Sequence, residues 1–370
     1  MSVDYEITAP ASTPADLDEL PSEFQTKSLR NRAAQALLAG VLLVAIVLFA
    51  PGLGEVRDHL ADASPGWLAL GALLEALSFV SYVVMFGPVF CVGLGWRRAW
   101  EIGGSELAMG SIVPASGAGG LALGAWVLYR GGMDGERIAR RSVAFFIIKS
   151  GANFLAVAVI GFALAIGLVG PDLSLWLTAV PAALATLSIV LVASLPRLGS
   201  GPRPFPGPDA PRSARWLSAT RRAVVRGTTE ARGIVRSADR RVLGGSLGYW
   251  FFDNAVLWAT FHAFGLSPPI TVILMGYLIG QLGGLLPFPG GIGGIDLGLI
   301  GVLVAYGTSA AGTAAAVFAY HVILFWLPLI VGGIAFAMLR RNMPSPGEFA
   351  SCAPAIAAQS RQFAESAAAR

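Results

Sequence analysis

Leu286-Pro-Phe-Pro-Gly-Gly-Ile-Gly-Gly-Ile-Asp296 interrupts an apolar region that runs from Ile270 to Tyr306. Pro287 and Pro289 each remove a backbone donor and clash with the preceding helical turn. Gly290, Gly291, Gly293 and Gly294 allow backbone shapes that other residues resist. An uninterrupted membrane helix is therefore excluded. No Lys or Arg lies near the break, whereas a cytoplasmic loop carries them. Broken backbone at membrane depth is tolerated where protein buries it or where it lines a watery cavity, which points to a transporter-type site. A tight turn between two ordinary helices is the simpler alternative. The second arm, Ile295–Tyr306, weighs against it, being too short for a crossing that needs about 20 residues.

Composition supports the membrane setting. Of 370 residues, 55% are hydrophobic and only 13% charged, about half the share of a soluble domain. The net charge of +4 does not point to nucleic acid, because the basic residues sit in loops between apolar runs. Cys91 and Cys352 have no metal-ligand spacing, and no disulfide is expected. No signal peptide is expected at the N-terminus.

The 1–30 segment, rich in Pro, Ser, Thr and acids, reads as a disordered cytoplasmic tail. Lys27, Arg30 and Arg32 flank the first apolar run, Ala33–Ala50, which places that end inside. Trp67–Gly93 returns to Arg97 and Arg98. Ile102–Tyr129 is broken at Pro114-Ala-Ser-Gly-Ala-Gly-Gly120 into arms of about 12–15 residues, roughly 20 Å each. Such arms fit a re-entrant hairpin that enters from the cytoplasm. Ser142–Val169 then crosses outward and Leu173–Leu195 back. Pro196–Arg241 carries eleven arginines against three acids and reads as a cytoplasmic loop. Contact with anionic lipid is one role for it, topology alone another. Val242–Phe264 crosses outward, the broken region follows as a hairpin from outside, and Ala310–Leu339 ends at Arg340 and Arg341. The 342–370 segment reads as a second disordered cytoplasmic tail.

Residues 33–169 and 173–341 thus repeat one order, two spans, a hairpin and a span, with opposite orientation. Gly110-Ser-Ile-Val-Pro114 also resembles Gly283-Gly-Leu-Leu-Pro287, with a glycine three residues after each proline. The fold class is all-α, a polytopic membrane protein of about six spans. It is built as an inverted-topology repeat with two opposed re-entrant hairpins, a plan of many secondary transporters.

The run Pro287-Phe-Pro-Gly-Gly-Ile-Gly293 with Asp296 after it resembles the lysylphosphatidylglycerol synthase/flippase transmembrane family. That family carries Pro-x-Pro-Gly-Gly-x-Gly followed by an acid, usually Glu. Ala319-Tyr-His-Val-Ile-Leu-Phe-Trp-Leu-Pro328 with Gly332-Gly333 is a second matching piece, with His321 where the family usually has Arg. Gly120-Leu-Ala-Leu stands where family members often carry Glu and Arg. The resemblance covers roughly Ala33 to Arg341 and implies lipid translocation. The soluble transferase half is not among these residues, so lipid synthesis is not implied.

Ionisable groups within spans are functional candidates by default. Glu75, Lys149, Asp253, Asp296 and His321 qualify, with Asn153, Asn254 and Gln281 beside them. Lys149 and Asn153 share a helix face, although Lys149 is near enough to the cytoplasmic end to snorkel. Asp253 lies mid-span, where an acid costs about 3 kcal/mol to insert and needs a partner or a function. Asp296 either caps the helix after the break or meets a cationic group or a proton. His321 is open to a proton-linked role or to neutral hydrogen bonding. Lys149, Asn153, Asp253, Asn254, Asp296 and His321, together with Pro114, Ser116, Gly117, Gly119 and Gly120 of the first break and Pro287, Pro289, Gly290, Gly291, Gly293 and Gly294 of the second, form the expected substrate site. Half-helix N-termini and glycine amides at the tips would cradle a phosphate. No catalytic set, metal site or cofactor is expected. The expectation is a flippase for an amphipathic, anionic phospholipid or isoprenoid-phosphate lipid in the cytoplasmic membrane, with both termini inside. An intramembrane head-group transferase and a non-transporting scaffold are the alternatives. Membrane lipids are the expected partners, with a homo-oligomer and a separate lipid-synthesising enzyme left open.

Overall fold

A computed structural model describes residues 53–112, 118–199, 211–281 and 293–352, together with positions 28, 31, 34, 35, 37, 38, 40, 41, 45 and 49. All described residues between 28 and 49 are helical, in agreement with a first apolar helix there. Eleven further helices follow among the described residues. They are α1 (Gly54–Ala61), α2 (Pro65–Phe90), α3 (Trp96–Ile112), α4 (Ala118–Arg130), α5 (Gly135–Ala165) and α6 (Ala179–Gly199). After them come α7 (Arg212–Arg236), α8 (Arg240–Ala263), α9 (Ile270–Gln281), α10 (Gly294–Ala305) and α11 (Ala310–Arg341). No strand occurs among the described residues.

Four of these helices are long and apolar enough to cross a membrane: α2, α5, the Ala179–Arg197 part of α6, and α11. Each coincides with a span expected from the sequence. Their outward faces carry exposed apolar side chains, such as Leu155, Val159 and Phe162 on α5, and Ile330 and Ile334 on α11. In water such stripes would be a liability, and against lipid chains they are the required surface. Helix α8 has the length of a span, about 36 Å at 1.5 Å per residue, but not the composition. Gly245, Ser246, Asp253 and Asn254 are buried along it, because that face of α8 packs inside the bundle, while Leu247 and Phe251 on the other are exposed.

Helices α2 and α8 form the centre and run antiparallel. The Ser64 N–H at the start of α2 donates to Ala263 O at the end of α8 (2.7 Å). At the other end Gly245 faces Met85, where an added Cβ would come within 2.8 Å of the Met85 side chain. Short helices α3 and α4 pack on each other, as do α9 and α10. Both pairs depend on glycine contacts. A Cβ at Gly120 would lie 2.1 Å from Glu106 O, and one at Gly298 would lie 2.6 Å from Gly280 O.

Two features differ from the sequence reading. First, Cys91 and Cys352 are joined in a disulfide, although their spacing of 261 residues gave no sign of it. They meet because the chain after α11 folds back over the ends of α2, α4 and α5. Second, residues 342–352 therefore do not behave as the disordered tail expected from Asn342. Phe349 is buried, its N–H donates to Gly131 O (2.7 Å), and Arg98 pairs with Glu348 (2.8 Å). Arg130 donates to Pro344 O (3.0 Å), and Arg141, fully buried, donates to Cys352 O (3.2 Å). Arg137 adds a bond to Cys352 O (3.2 Å). Small-residue composition points to disorder, but one aromatic anchor and four arginines from other elements outweigh it. The remainder of that segment, from 353, lies outside the described residues.

Candidate functional site

A cavity of about 210 Å³ opens between α2, α3, α4, α5, α8 and α11. Its polar wall is made by Glu75 and Tyr82 of α2, Glu106 of α3, Lys149 of α5, and Tyr249 and Asp253 of α8. Such a group is unusual in a bundle whose outer face is apolar. The folding of each element explains how these side chains are held. Glu106 has room because Gly124 faces it; a Cβ there would fall 1.6 Å from Glu106 Oε1. The Tyr82 hydroxyl donates to Glu106 Oε2 (2.8 Å). Asp253, only 6% exposed, accepts from the hydroxyls of Tyr277 and Tyr320, the latter at 3.2 Å. Lys149 Nζ lies 5.9 Å from the ring centres of Tyr82, Phe146 and Tyr249, a cation–π setting. Its electrostatic partners are Glu106 and Asp253. Glu75 is 5% exposed, and its Oε2 has no hydrogen-bond partner.

A second polar group lies at the start of α10. Gly293 takes φ +86°, and no described atom lies within 4 Å of where its Cβ would be. Its N–H donates to Asp296 Oδ2 (2.8 Å). Asp296 Oδ1 sits 2.7 Å from His321 Nδ1 on α11. The acid thus caps the helix with one oxygen, and the other, which accepts no hydrogen bond, lies against the His321 ring. His321 Nε2 is buried without a hydrogen-bond partner.

The expected site residues therefore divide. Lys149 and Asp253 come together on one cavity wall. Asp296 and His321 meet each other, and neither lines that cavity. Asn254 is buried beside Asp253 and donates to Trp250 O in its own helix (2.8 Å). Asn153, a turn beyond Lys149, is not a lining residue, and its Oδ1 has no partner. Gly120 serves helix packing. Gly119 is the second residue of α4, and Gly294 is the first of α10. Pro114, Ser116, Gly117, Pro287, Pro289, Gly290 and Gly291 lie outside the described residues, and so does any cradle formed by them.

Sequence reasoning missed Glu106 and the four tyrosines. An acid inside the arm Ile102–Tyr129 was a readable signal for Glu106. The tyrosines gave none, since a tyrosine in an apolar run is most simply read as core.

Two comparisons with known proteins cover most of the chain. A family model described as the lysylphosphatidylglycerol synthase TM region matches residues 37–332. Two proteins of Methanothermobacter thermautotrophicus, both named UPF0104 membrane protein, are similar along most of their length. One is 25% identical over 336 residues, covering 82% of this chain and 94% of the relative. The other is 26% identical over 347 residues, covering 85% and 95%.

Proposed function

The chain belongs to the lysylphosphatidylglycerol synthase transmembrane-region family, and from that premise we propose that it binds an amphipathic, phosphate-bearing lipid and moves it across the cell membrane. The observation that carries this reading is the polar cavity enclosed by apolar helices, with Lys149 on its wall. A head group entering there would meet Lys149 as counter-charge to phosphate, while the tail stayed in lipid. Glu106 and Asp253 share the wall, so the reading favours a head group with hydroxyl or amine donors besides its phosphate. The antiparallel pairing of α2 with α8, each followed by two short packed helices, supports the inverted repeat and its re-entrant hairpins. With the arginine-rich α7 inside, both termini are cytoplasmic in this reading.

Reconstitution tests it. Liposomes holding the purified protein and a head-group-tagged fluorescent phosphatidylglycerol are bleached from outside with dithionite. The protein should expose the inner-leaflet dye, and Lys149→Met should slow exposure by about tenfold, the loss of roughly 1.4 kcal/mol. Equal bleaching with and without protein would refute translocation of this lipid.

One observation favours the head-group transferase as a second reading. His321 Nδ1 lies 2.7 Å from Asp296 Oδ1 and its Nε2 has no hydrogen-bond partner, and an imidazole beside a carboxylate is the pairing that acid–base chemistry of this kind uses. Mass spectrometry of lipids incubated with the purified protein separates the readings. Turnover abolished by His321→Gln supports the enzyme, and unchanged lipids support the carrier.

A further inference from the structure

The charges around the cavity do not balance, and the imbalance falls on one residue. The ionisable groups facing it come from every packed element: Glu75 and Tyr82 from α2, Glu106 from α3, Lys149 from α5, Tyr249 and Asp253 from α8. Tyr277 from α9 and Tyr320 from α11 reach Asp253 from behind. Among these, Lys149 is the sole cation, and it acts on Glu106 and Asp253. Glu106 has the Tyr82 hydroxyl, and Asp253 has two hydroxyls. Glu75 Oε2 has no such donor. The residue is buried and lines the cavity, and its charged neighbour is Asp253, another acid. A buried carboxylate oxygen with no donor, beside a second acid, is costly to keep charged. A positive occupant removes that cost, and the smallest one also converts the bare oxygen into a donor.

We infer that Glu75 and Asp253 form a proton-binding pair, the coupling-ion site of the lipid translocation proposed above. The proton adds to a Glu75 carboxylate oxygen, and the resulting O–H turns toward the charged Asp253. No other bond changes. The tyrosine donors keep the negative charge on Asp253, so the pair shares one proton. Asp253 is also tied to Tyr320, so loading and unloading of the pair acts directly on α11. Translocation is then driven by proton movement rather than by nucleotide hydrolysis.

The inference rests on the carrier reading, but it is tested without any lipid movement. Infrared spectra of the purified protein in lipid nanodiscs are recorded from acid to alkaline pH, following the C=O stretch of a protonated carboxylic acid. Wild type should show a band that titrates, Glu75→Gln should remove it, and Asp253→Asn should move its midpoint. Glu348→Gln, a surface carboxyl paired with Arg98, should leave it unchanged. Should Glu75→Gln not fold, Glu75→Asp keeps the carboxyl at shorter reach and should shift the band's frequency. No titrating band in wild type overturns the inference, as does a band unaltered in the Glu75 variants. Without the band, a thermal midpoint raised by sodium chloride over choline chloride would assign the pair to sodium and also overturn it. A band without dye translocation leaves the proton site standing and removes the carrier. Translocation without the band does the reverse.

Discussion

At Gly293 a single backbone angle explains why part of the broken run must be glycine. Glycine there could be needed because a Cβ meets a neighbour or because the backbone takes a left-handed angle. With φ at +86° and no described atom within 4 Å of a Cβ, the angle is the reason. The cost should thus be nearly independent of side-chain size, about 1–2 kcal/mol for Ala. Asn should not be spared, because φ +86° with ψ −47° lies outside the left-handed helical region that Asn tolerates. Thermal unfolding of Gly293→Ala, Gly293→Val and Gly293→Asn tests this. A Val variant markedly less stable than the Ala variant would mean that crowding matters instead. Gly124 is the opposite case, since a Cβ there would sit 1.6 Å from Glu106 Oε1. Two glycines of equal appearance in the sequence thus have different physical causes. The same limit applies to the site. Lys149, Asp253, Asp296 and His321 stood out as ionisable residues in apolar runs. Their partners did not, because hydrogen-bonded tyrosines and core tyrosines look alike until the helices are packed. Which charges met which was equally hidden, since Lys149 and Asp253 lie 104 positions apart in the numbering, 253 minus 149.

Helix α7 marks what periodicity left unread at the scale of elements. Its arginines are spread along 25 residues and were read as loop charge. Arg215, Arg226, Arg232 and Arg236 are instead exposed on a helix whose other face, with Gly227, Thr228, Ala231 and Ile234, is buried. Gly227 lets α7 approach α5 closely, since a Cβ there would lie 2.6 Å from Arg140 O. One acid on α7 holds two arginines of α5: Glu230 lies 3.1 Å from Arg140 and 3.5 Å from Arg141. Arg141 is fully buried, so removing Glu230 leaves a guanidinium with fewer acceptors, at about 1–3 kcal/mol. Glu230→Ala should therefore loosen α7 and speed tryptic cleavage after its arginines, while bonds in α8 stay protected. Equal cleavage of variant and wild type would show that the apolar face alone holds the helix. Helix α11 connects the two polar groups by adjacency. Tyr320 donates to Asp253 of the cavity, and the next residue, His321, meets Asp296 at the start of α10. The long apolar helices were legible because 20 or more apolar residues have few other readings. An amphipathic helix rich in arginine has several.

For the whole molecule, two lines of physical evidence disagree about one face. Arg98, Arg130, Arg137 and Arg141 hold residues 342–352, and Arg141 also reaches Glu230 of α7. That face therefore carries both the arginine-rich helix and the Cys91–Cys352 disulfide. Clustered arginines near span ends stay in the cytoplasm, but disulfides persist mainly in oxidising compartments. The arginine argument should prevail, because charge acts on topology during insertion and oxidation comes afterwards. The tail would remain docked without the covalent bond, since Phe349 and the arginine contacts hold it independently. Both points are accessible in one experiment on whole cells. In a Ser213→Cys variant, with the exposed new thiol on α7, a membrane-impermeant maleimide should label only after permeabilisation. Cells lysed directly into denaturant with maleimide and no reductant should then also yield labelled Cys91 and Cys352, buried in the folded protein, because the cytoplasm keeps thiols reduced. Labelling of position 213 from outside would invert the proposed orientation and place the disulfide where it is chemically at home. Labelling only after permeabilisation, with both native cysteines unlabelled even in denaturant, would keep the topology and show that the packed tail preserves the bond in a reducing compartment.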